Sequence, residues 1–267
     1  MSIKVIIAGP RGKMGSEALK MVSDEANFQL VACIDRRNNG MSVKDIDVLP
    51  NMDIPIYDNP EACFQEVDAD VFVDLTIPEV GFEHTKMALQ HDIRPVVGTT
   101  GFTKDEITEL TSLSNEKKLG CIIAPNFAVG AVLMMQFAQM AAKYFPDVEI
   151  IEKHHDNKLD APSGTAIKTA ELMMDTREAK NQGHPNEEEK LQGARGANID
   201  GMRIHSMRLP GLVAHQEVVF GDSGQTLSIK HDSYNRQGFM EGIKLSIKEV
   251  MTIEELVYGL ENMLTIK

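Results

Sequence analysis

The stretch Ile3-Lys4-Val5-Ile6-Ile7-Ala8-Gly9-Pro10-Arg11-Gly12-Lys13-Met14-Gly15 decides the fold. Ile3–Ala8 is a short run rich in β-branched residues, and the segment from Lys13 to about Val22 has helical spacing. A strand, a glycine turn and a helix in that order make a cradle for a diphosphate. The glycines let the backbone turn tightly and approach a ligand closely, and the helix start supplies free N–H donors. The spacing is GxxGxxG rather than GxGxxG, so the strand before it and the helix after it carry the reading. Arg11 and Lys13 are placed to add charge near the phosphates. A second apolar run, Gln29–Ile34, ends at Asp35, where a carboxylate can accept hydrogen bonds from an adenosine ribose. Arg36 and Arg37 follow at once and suit a 2′-phosphate instead.

Outward from this motif the alternation continues. Val71–Leu75, Pro95–Val97 and Cys121–Ala124 read as strands, with helical stretches at Phe82–Gln90 and Lys104–Lys117 between them. Short apolar strands alternating with amphipathic helices predict a doubly wound parallel sheet covered on both faces. The segments Gly98-Thr99-Thr100-Gly101 and Ala124-Pro125-Asn126-Phe127 then fall at the carboxyl ends of later strands, where such sheets bind ligands. Thr103 is a candidate N-cap for the helix that follows. Beyond about Phe127 the pattern changes. A long apolar helix, Ala128–Tyr144, precedes strand-like Val148–His155 and helix-like Thr165–Met174. Arg177–Gln192 reads as an exposed charged loop. Met202–Arg208, Gln216–Phe220 and Thr226–His231 read as strands, the last two forming a hairpin about Gly221–Gln225 in which Leu227 and Ile229 point inward. The tail, Gly238–Val250 and Ile253–Leu264, returns to helical periodicity. We therefore expect a Rossmann-like α/β dinucleotide-binding domain from residues 1–127 and 235–267. Residues 128–234 form a second, α+β domain on a mixed or antiparallel sheet, suited to substrate binding and self-association.

Composition narrows the function. The chain has 267 residues, 42% hydrophobic and 25% charged, an ordinary globular balance. Lysine and arginine number 27 against 40 acidic residues, a formal charge of -13 that repels a polyanion and argues against nucleic acid. The longest apolar run, Phe127–Met135, is too short to span a bilayer, and the first residues do not read as a signal peptide. Cys33, Cys63 and Cys121 are widely spaced, without a CxxC pair, and read as free thiols in a reducing cytoplasm. Cys63 falls in an expected surface helix. The sixteen methionines read as core filling.

The densest chemistry lies at Glu152-Lys153-His154-His155-Asp156-Asn157-Lys158-Leu159-Asp160-Ala161-Pro162-Ser163-Gly164-Thr165-Ala166. If the strand continues through it, His154 and His155 point to opposite faces, and Lys158 can turn back toward the same place. Ser163-Gly164-Thr165 opens a helix whose free N–H groups, with the Thr165 hydroxyl, make a carboxylate clamp. Ser163 also suits an N-cap. A metal site using the histidine pair with Asp156 or Asp160 is the weaker alternative, since no HExxH spacing is present. The remaining histidines, His84, His91, His184, His205, His215 and His231, read as surface or satisfied core residues.

These residues resemble the dihydrodipicolinate reductase family, also called 4-hydroxy-tetrahydrodipicolinate reductases, of bacterial lysine and diaminopimelate synthesis. The resemblance spans essentially the whole chain. It rests on GPRGKMG, on VGTTGF at Val97–Phe102, on APNFAVG at Ala124–Gly130 and above all on HHDNKLDAPSGTA at His154–Ala166. It departs at Leu209–Glu217, where many members carry a glycine pair and a Glu-His order. The resemblance implies a cytoplasmic homotetramer that reduces a cyclic imine dicarboxylate with NADH or NADPH and releases water. It implies His154 as proton donor or acceptor, Lys158 as proton donor, His155 as a substrate ligand and Gly164-Thr165 as the carboxylate site. Gly9, Pro10, Arg11, Gly12, Lys13, Met14, Asp35, Gly98, Thr99, Thr100, Ala124, Pro125, Asn126 and Phe127 are the implied cofactor contacts, with Arg36 a candidate for the 2′-phosphate. Two other readings compete. A non-catalytic dinucleotide sensor leaves the His-Lys segment without a use, and a semialdehyde dehydrogenase needs a cysteine nucleophile in a polar loop.

Overall fold

Strand β1 (Ile3–Ala8) is flanked on one side by β2 (Phe28–Ile34) and on the other by β4 (Val71–Asp74), both parallel to it. This is the arrangement in a computed structural model that describes residues 2–264. Val5 to Ala8 and all of β4 are buried, as a parallel sheet covered on both faces requires. Each aliphatic side chain so removed from water contributes about 1.5–3 kcal/mol. Helix α1 (Lys13–Asp24) connects β1 to β2 and buries Ala18, Leu19 and Val22 at three-and-four spacing. The chain continues through β3 (Ile56–Tyr57), α2 (Pro60–Glu66), β4, α3 (Pro78–Gln90), β5 (Arg94–Val97), α4 (Lys104–Lys117) and β6 (Cys121–Ile123). At the start of α4 the Thr103 hydroxyl accepts from the Glu106 amide at 3.2 Å, and Glu106 accepts from the Thr103 amide at 2.7 Å, a capping box.

A late strand, β12 (Leu256–Tyr258), completes this sheet in the order β12-β6-β5-β4-β1-β2-β3. The chain runs outward from β1 to β3, then crosses back to β4. The order thus reverses between β1 and β4, and a crevice opens outside their carboxyl ends. Strand β12 corrects the helical expectation for Ile253–Leu264. The apolar spacing there mimics a helix, but Gly259 adopts φ +88° and stops it, and the free edge of β6 takes Leu256–Tyr258 in parallel pairing. One 3-10 turn, Leu260–Asn262, follows. Strand β3 and helix α2 were not legible because each is very short. Helix α2 also corrects the surface placement of Cys63, which is fully buried among Ile34, Phe64 and Phe72.

The described residues up to Val129, with those from Arg236 onward, form one compact unit, and Gly130–Asn235 form a second. Residues 265–267 lie outside the described residues. Helix α7 (Met240–Glu249) belongs to the first unit, where Lys244 pairs with Glu25 of the α1–β2 turn at 3.0 Å. Helix α5 (Val129–Ala141) leads into the second unit, which contains β7 (Asp147–His154), α6 (Gly164–Met174), β8 (Ala197–Ile199), β9 (Met202–Arg208), β10 (Ala214–Asp222) and β11 (Gln225–Ser233). Its sheet runs β11-β10-β7-β9-β8, with only β7 and β9 parallel. Strands β10 and β11 join through the two-residue turn Ser223-Gly224, with Gly224 at φ +79°. Ile229 is half-buried as expected of that hairpin, but Leu227 is exposed because β11 is an edge strand. Arg177, expected in the exposed loop, is buried, donating to the carbonyls of Asp200 and Pro146.

Candidate active site

Two clusters gather the residues that the sequence singles out, one in each unit. The first lies in the crevice of the seven-stranded sheet. Gly9 sits at φ +80°, and a Cβ on Gly15 would stand 2.0 Å from the Gly9 carbonyl oxygen, so this turn tolerates only glycine at both positions. Gly12 is the N-cap of α1 and offers no capping side chain, which leaves the first-turn amides for a ligand. Gly9, Arg11, Gly12, Asp35 and Arg36 line a cavity of about 510 Å³, the size of a small-ligand site. A dinucleotide fits these residues: a glycine cradle, free helix amides and an acid at the end of β2. Pro10 is buried, Met14 is half-buried and Lys13 is exposed, all beside the cavity rather than in its lining.

The acid is already engaged. Asp35 is 7% exposed, and its Oδ2 accepts from Arg11 Nε at 2.7 Å. Its Oδ1 accepts from Arg11 Nη2 at 2.9 Å, from the Arg37 amide at 3.0 Å and from Asn38 Nδ2 at 3.3 Å. This forked pair pushes the Arg11 guanidinium further above its usual value. The arginine charge therefore stands beside Asp35 rather than over the glycines.

At the end of β4, the fully buried Asp74 accepts from the Thr76 amide at 2.8 Å and from the hydroxyls of Thr76 and Thr99 at 2.5 and 2.9 Å. Its other oxygen lies 3.1 Å from Nδ1 of His84. Thr99 thus turns its hydroxyl onto Asp74, while Thr100 is exposed. A Cβ on Gly98 would meet Leu75 at 2.8 Å and Phe127 at 2.9 Å, so these loops pack without room for a side chain there. Ala124 and Phe127 are buried, Pro125 is exposed, and Asn126 accepts from the Ala128 amide at 2.9 Å.

The second cluster centres on Glu152. Strand β7 buries Val148, Ile150 and Glu152 on one face, and the glutamate is completely inaccessible. Its Oε2 accepts from His154 Nδ1 at 2.6 Å and from Arg208 Nη1 at 2.8 Å. Its Oε1 accepts from Arg208 Nη2 at 2.7 Å and from the Ser163 amide at 3.2 Å. Burial works to raise the Glu152 carboxyl, but hydrogen bonds from Arg208, Ser206 and His154 outweigh it and hold the group below its usual value. His154 is lowered, chiefly by burial and further by the charges of Lys158 and Arg208, against the raising effect of Glu152. Because a carboxylate only accepts, Nδ1 of His154 carries a hydrogen and Nε2 is left for other chemistry.

Lys158 follows a turn in which its amide donates to the His155 carbonyl at 3.2 Å. Its ammonium pairs with Asp160 at 2.7 Å and holds that carboxyl below its usual value. The strand ends at His154, so His155 lies beyond it and is exposed. Ser163 is buried and caps α6, its hydroxyl accepting from the Ala166 amide at 3.3 Å. A Cβ on Gly164 would meet nothing within 4 Å and Gly164 needs no left-handed backbone, so the helix start is open to a ligand. Thr165 is half-buried beside it.

Glu152, Arg208 and His84 are site residues that sequence patterns alone do not single out. Glu152 did carry a signal, as the one acid in the apolar parity of Val148 and Ile150, two residues before His154. Arg208 carried none, since only the β7–β9 register sets it opposite His154. The thiols offer no nucleophile: all three cysteines are buried, burial pushes Cys63 up to about 12, and Cys33 and Cys121 rise further for the same reason. Among the described residues no three His, Cys, Asp or Glu side chains come together as a metal site, and no helix is long and apolar enough to cross a membrane.

Comparison with known proteins places this geometry. Family models described as "Dihydrodipicolinate reductase, N-terminus" and "Dihydrodipicolinate reductase, C-terminus" match residues 3–127 and 130–264. The chain is 62% identical over 265 residues to the 4-hydroxy-tetrahydrodipicolinate reductase of Oceanobacillus iheyensis, covering 99% of this chain and 100% of that one. It is 59% identical over 262 residues to the enzyme of the same name from Bacillus cytotoxicus, covering 98% of each. Its fold superposes with TM-score 0.92 on a dipicolinate-bound dihydrodipicolinate reductase from Paenisporosarcina sp. TG-14, at 55% identity, covering 99% of this chain and 100% of that one. The chain belongs to the dihydrodipicolinate reductase family.

Proposed function

We propose that this oxidoreductase reduces 4-hydroxy-tetrahydrodipicolinate to tetrahydrodipicolinate, with release of water, in the diaminopimelate route to lysine. The observation that carries the reading is the buried Glu152 carboxylate, which ties His154, Arg208 and the start of α6 into one cluster beside Lys158. Its relatives' names and the dipicolinate bound to one of them support the substrate class.

The glycine turn, Asp35, Arg36 and the loops Gly98–Thr100 and Ala124–Phe127 hold a reduced NADH or NADPH, which when bound supplies the hydride. Loss of the 4-hydroxyl together with a neighbouring ring proton, as water, leaves a conjugated imine. Hydride addition to it drives electron density toward nitrogen, so an acid must deliver a proton to complete the reduction. Lys158 serves as that donor. His154 gives or takes its proton at Nε2, because Nδ1 is committed to Glu152. One substrate carboxylate is held by the open amides of Gly164 and Thr165 and by the Thr165 hydroxyl, at the positive end of α6. Ser163 fixes that helix start through its cap and its bond to Glu152, and exposed His155 binds the substrate from the side.

The enzyme works as a cytoplasmic homotetramer. The face of the second sheet turned away from Glu152 and Phe220 carries Ile151, Val219 and Met207, none of them buried within one chain, which suits coverage by another copy. The deciding experiment is a coupled assay with freshly made substrate, following nicotinamide absorbance. Substrate-dependent oxidation of NADH or NADPH is expected, and no oxidation of either at saturation rejects the assignment.

A further inference from the structure

Lys158 and Asp160 stand two residues apart in the loop that joins β7 to α6. Both oxygens of the Asp160 carboxylate accept from the Lys158 ammonium, at 2.7 and 2.9 Å. Leu159 between them is wholly exposed, so it points away while the two charged side chains meet. The lysine is the more enclosed partner, with 22% of its side chain exposed against 59% for the aspartate. An ion pair with an acid this exposed adds little to folding stability, so the pair calls for another use. Nor is the aspartate loose on the surface. Arg208 Nη2 donates to its backbone carbonyl at 2.7 Å, and the same nitrogen donates to the buried Glu152 carboxylate at 2.7 Å. Asp160 is thus tied to the buried group that also fixes His154.

Lys158 and Arg208 both stand close enough to His154 for their charges to lower it. Positive groups gathered in this way repel one another. The other acids nearby are engaged elsewhere. Glu152 accepts from Arg208, His154 and the Ser163 amide, and Asp156, the loop's other acid, accepts from Asn157 at 3.2 Å. A lysine stem is flexible, and its ammonium is a compact charge with no direction of its own. Asp160 supplies that direction. Of the three N–H donors of the ammonium, two meet its oxygens and one is left. We propose that Asp160 is a positioning residue, whose carboxylate orients the Lys158 ammonium so that the remaining N–H faces the ring being reduced. In the transfer the Nζ–H bond breaks, the proton passes to the reduced ring, and the electron pair stays on Nζ. The neutral amine then takes a proton from solvent, and Asp160 stays a carboxylate throughout. The proposal rests on the assignment of Lys158 as proton donor made above.

The test is a double-mutant cycle on kcat with 4-hydroxy-tetrahydrodipicolinate, using Asp160→Asn, Lys158→Ala and the two together. Asparagine keeps the size and the backbone bond to Arg208 but removes the charge. The position is exposed, so the melting temperature should stay close to wild type. Asp160→Asn alone should lower kcat about tenfold, less than loss of the donor itself. In the Lys158→Ala background the same substitution should change kcat by less than about twofold, because Asp160 acts only through the ammonium. Pyridine-2,6-dicarboxylate should bind Asp160→Asn as tightly as wild type or more tightly by calorimetry, since a negative charge beside a dianion is gone. A wild-type kcat in Asp160→Asn overturns the proposal. So does a kcat loss that persists in full without Lys158, or one matched by an equal loss of dicarboxylate affinity. A Lys158→Ala variant with the wild-type kcat would instead remove the donor assignment itself, and the proposal with it.

Discussion

Nδ1 of His154 lies 2.6 Å from the carboxylate of Glu152, two residues back along β7. This fixes the ring's orientation and its tautomer together. The same carboxylate receives Arg208 and the Ser163 amide, so one buried group fixes the His154 ring and the start of α6 relative to each other. Glu152→Gln keeps the shape and removes the charge. It should lower kcat about ten- to hundredfold, less than the ~10²–10⁴ expected for removing an acid outright. Because Glu152 raises His154, its loss should also move the limb of the pH–kcat/KM profile that reports protonated His154 to lower pH. A profile that falls in height without shifting would make Glu152 a packing residue only.

Stability should weaken on acidification in two stages. His154 and His231 are both lowered from 6.5, chiefly by burial, so the unfolded chain takes up their protons first and stability begins to fall below pH 6.5. Glu152 and Glu149 are lowered from 4.5, so their contribution is complete above that pH and is lost as pH falls through their folded values. Urea midpoints measured across this range should decline below pH 6.5 and steepen below pH 4.5. In Glu152→Gln the second stage should shrink. A wild-type midpoint that stays level from pH 6.5 to 4 would contradict the signs of these shifts.

The parts of this protein legible in the sequence are those where one residue type has one use. The glycine turn is an example, because only glycine fits Gly9 and Gly15, and so is the alternation that dictates a parallel sheet. The His154–Ala166 segment was legible as chemistry, but its geometry was not. Nothing local says that the strand stops at His154, that Lys158 turns onto Asp160, or that Arg208 returns more than 50 residues later to the same carboxylate. Those facts follow from sheet register, which is long-range. The tail failed for the opposite reason. Its local pattern was helical, and the free edge of β6 overrode it.

Cofactor choice should turn on charges at the end of β2. Arg11 stands beside Asp35 instead of over the glycines, so both Arg11 and Arg36 place positive charge where a 2′-phosphate would lie. Arg36→Ala should raise the Kd of NADPH about tenfold and leave that of NADH nearly unchanged. Asp35→Asn should do the reverse, weakening NADH and sparing NADPH. Fluorescence titration with both dinucleotides checks this, and equal changes for the two in either variant would refute it.

Gly164 separates ligand access from folding. A Cβ there meets nothing within 4 Å and the backbone is not left-handed, so Gly164→Val should fold with nearly the wild-type melting temperature. It should nevertheless bind pyridine-2,6-dicarboxylate at least tenfold more weakly by calorimetry, because the branched side chain covers the amides at the start of α6. Unchanged affinity would move the clamp elsewhere in the second unit.

The central claim is that the Lys158 ammonium supplies the proton that completes reduction. Its direct measure is the kcat of Lys158→Ala with freshly generated 4-hydroxy-tetrahydrodipicolinate, set beside the Kd of the same variant for reduced dinucleotide. We expect kcat to fall about 10²–10⁴-fold while the dinucleotide Kd stays within a factor of two. A variant that turns over at the wild-type rate, or one whose kcat loss is matched by an equal loss of dinucleotide affinity, would contradict the account.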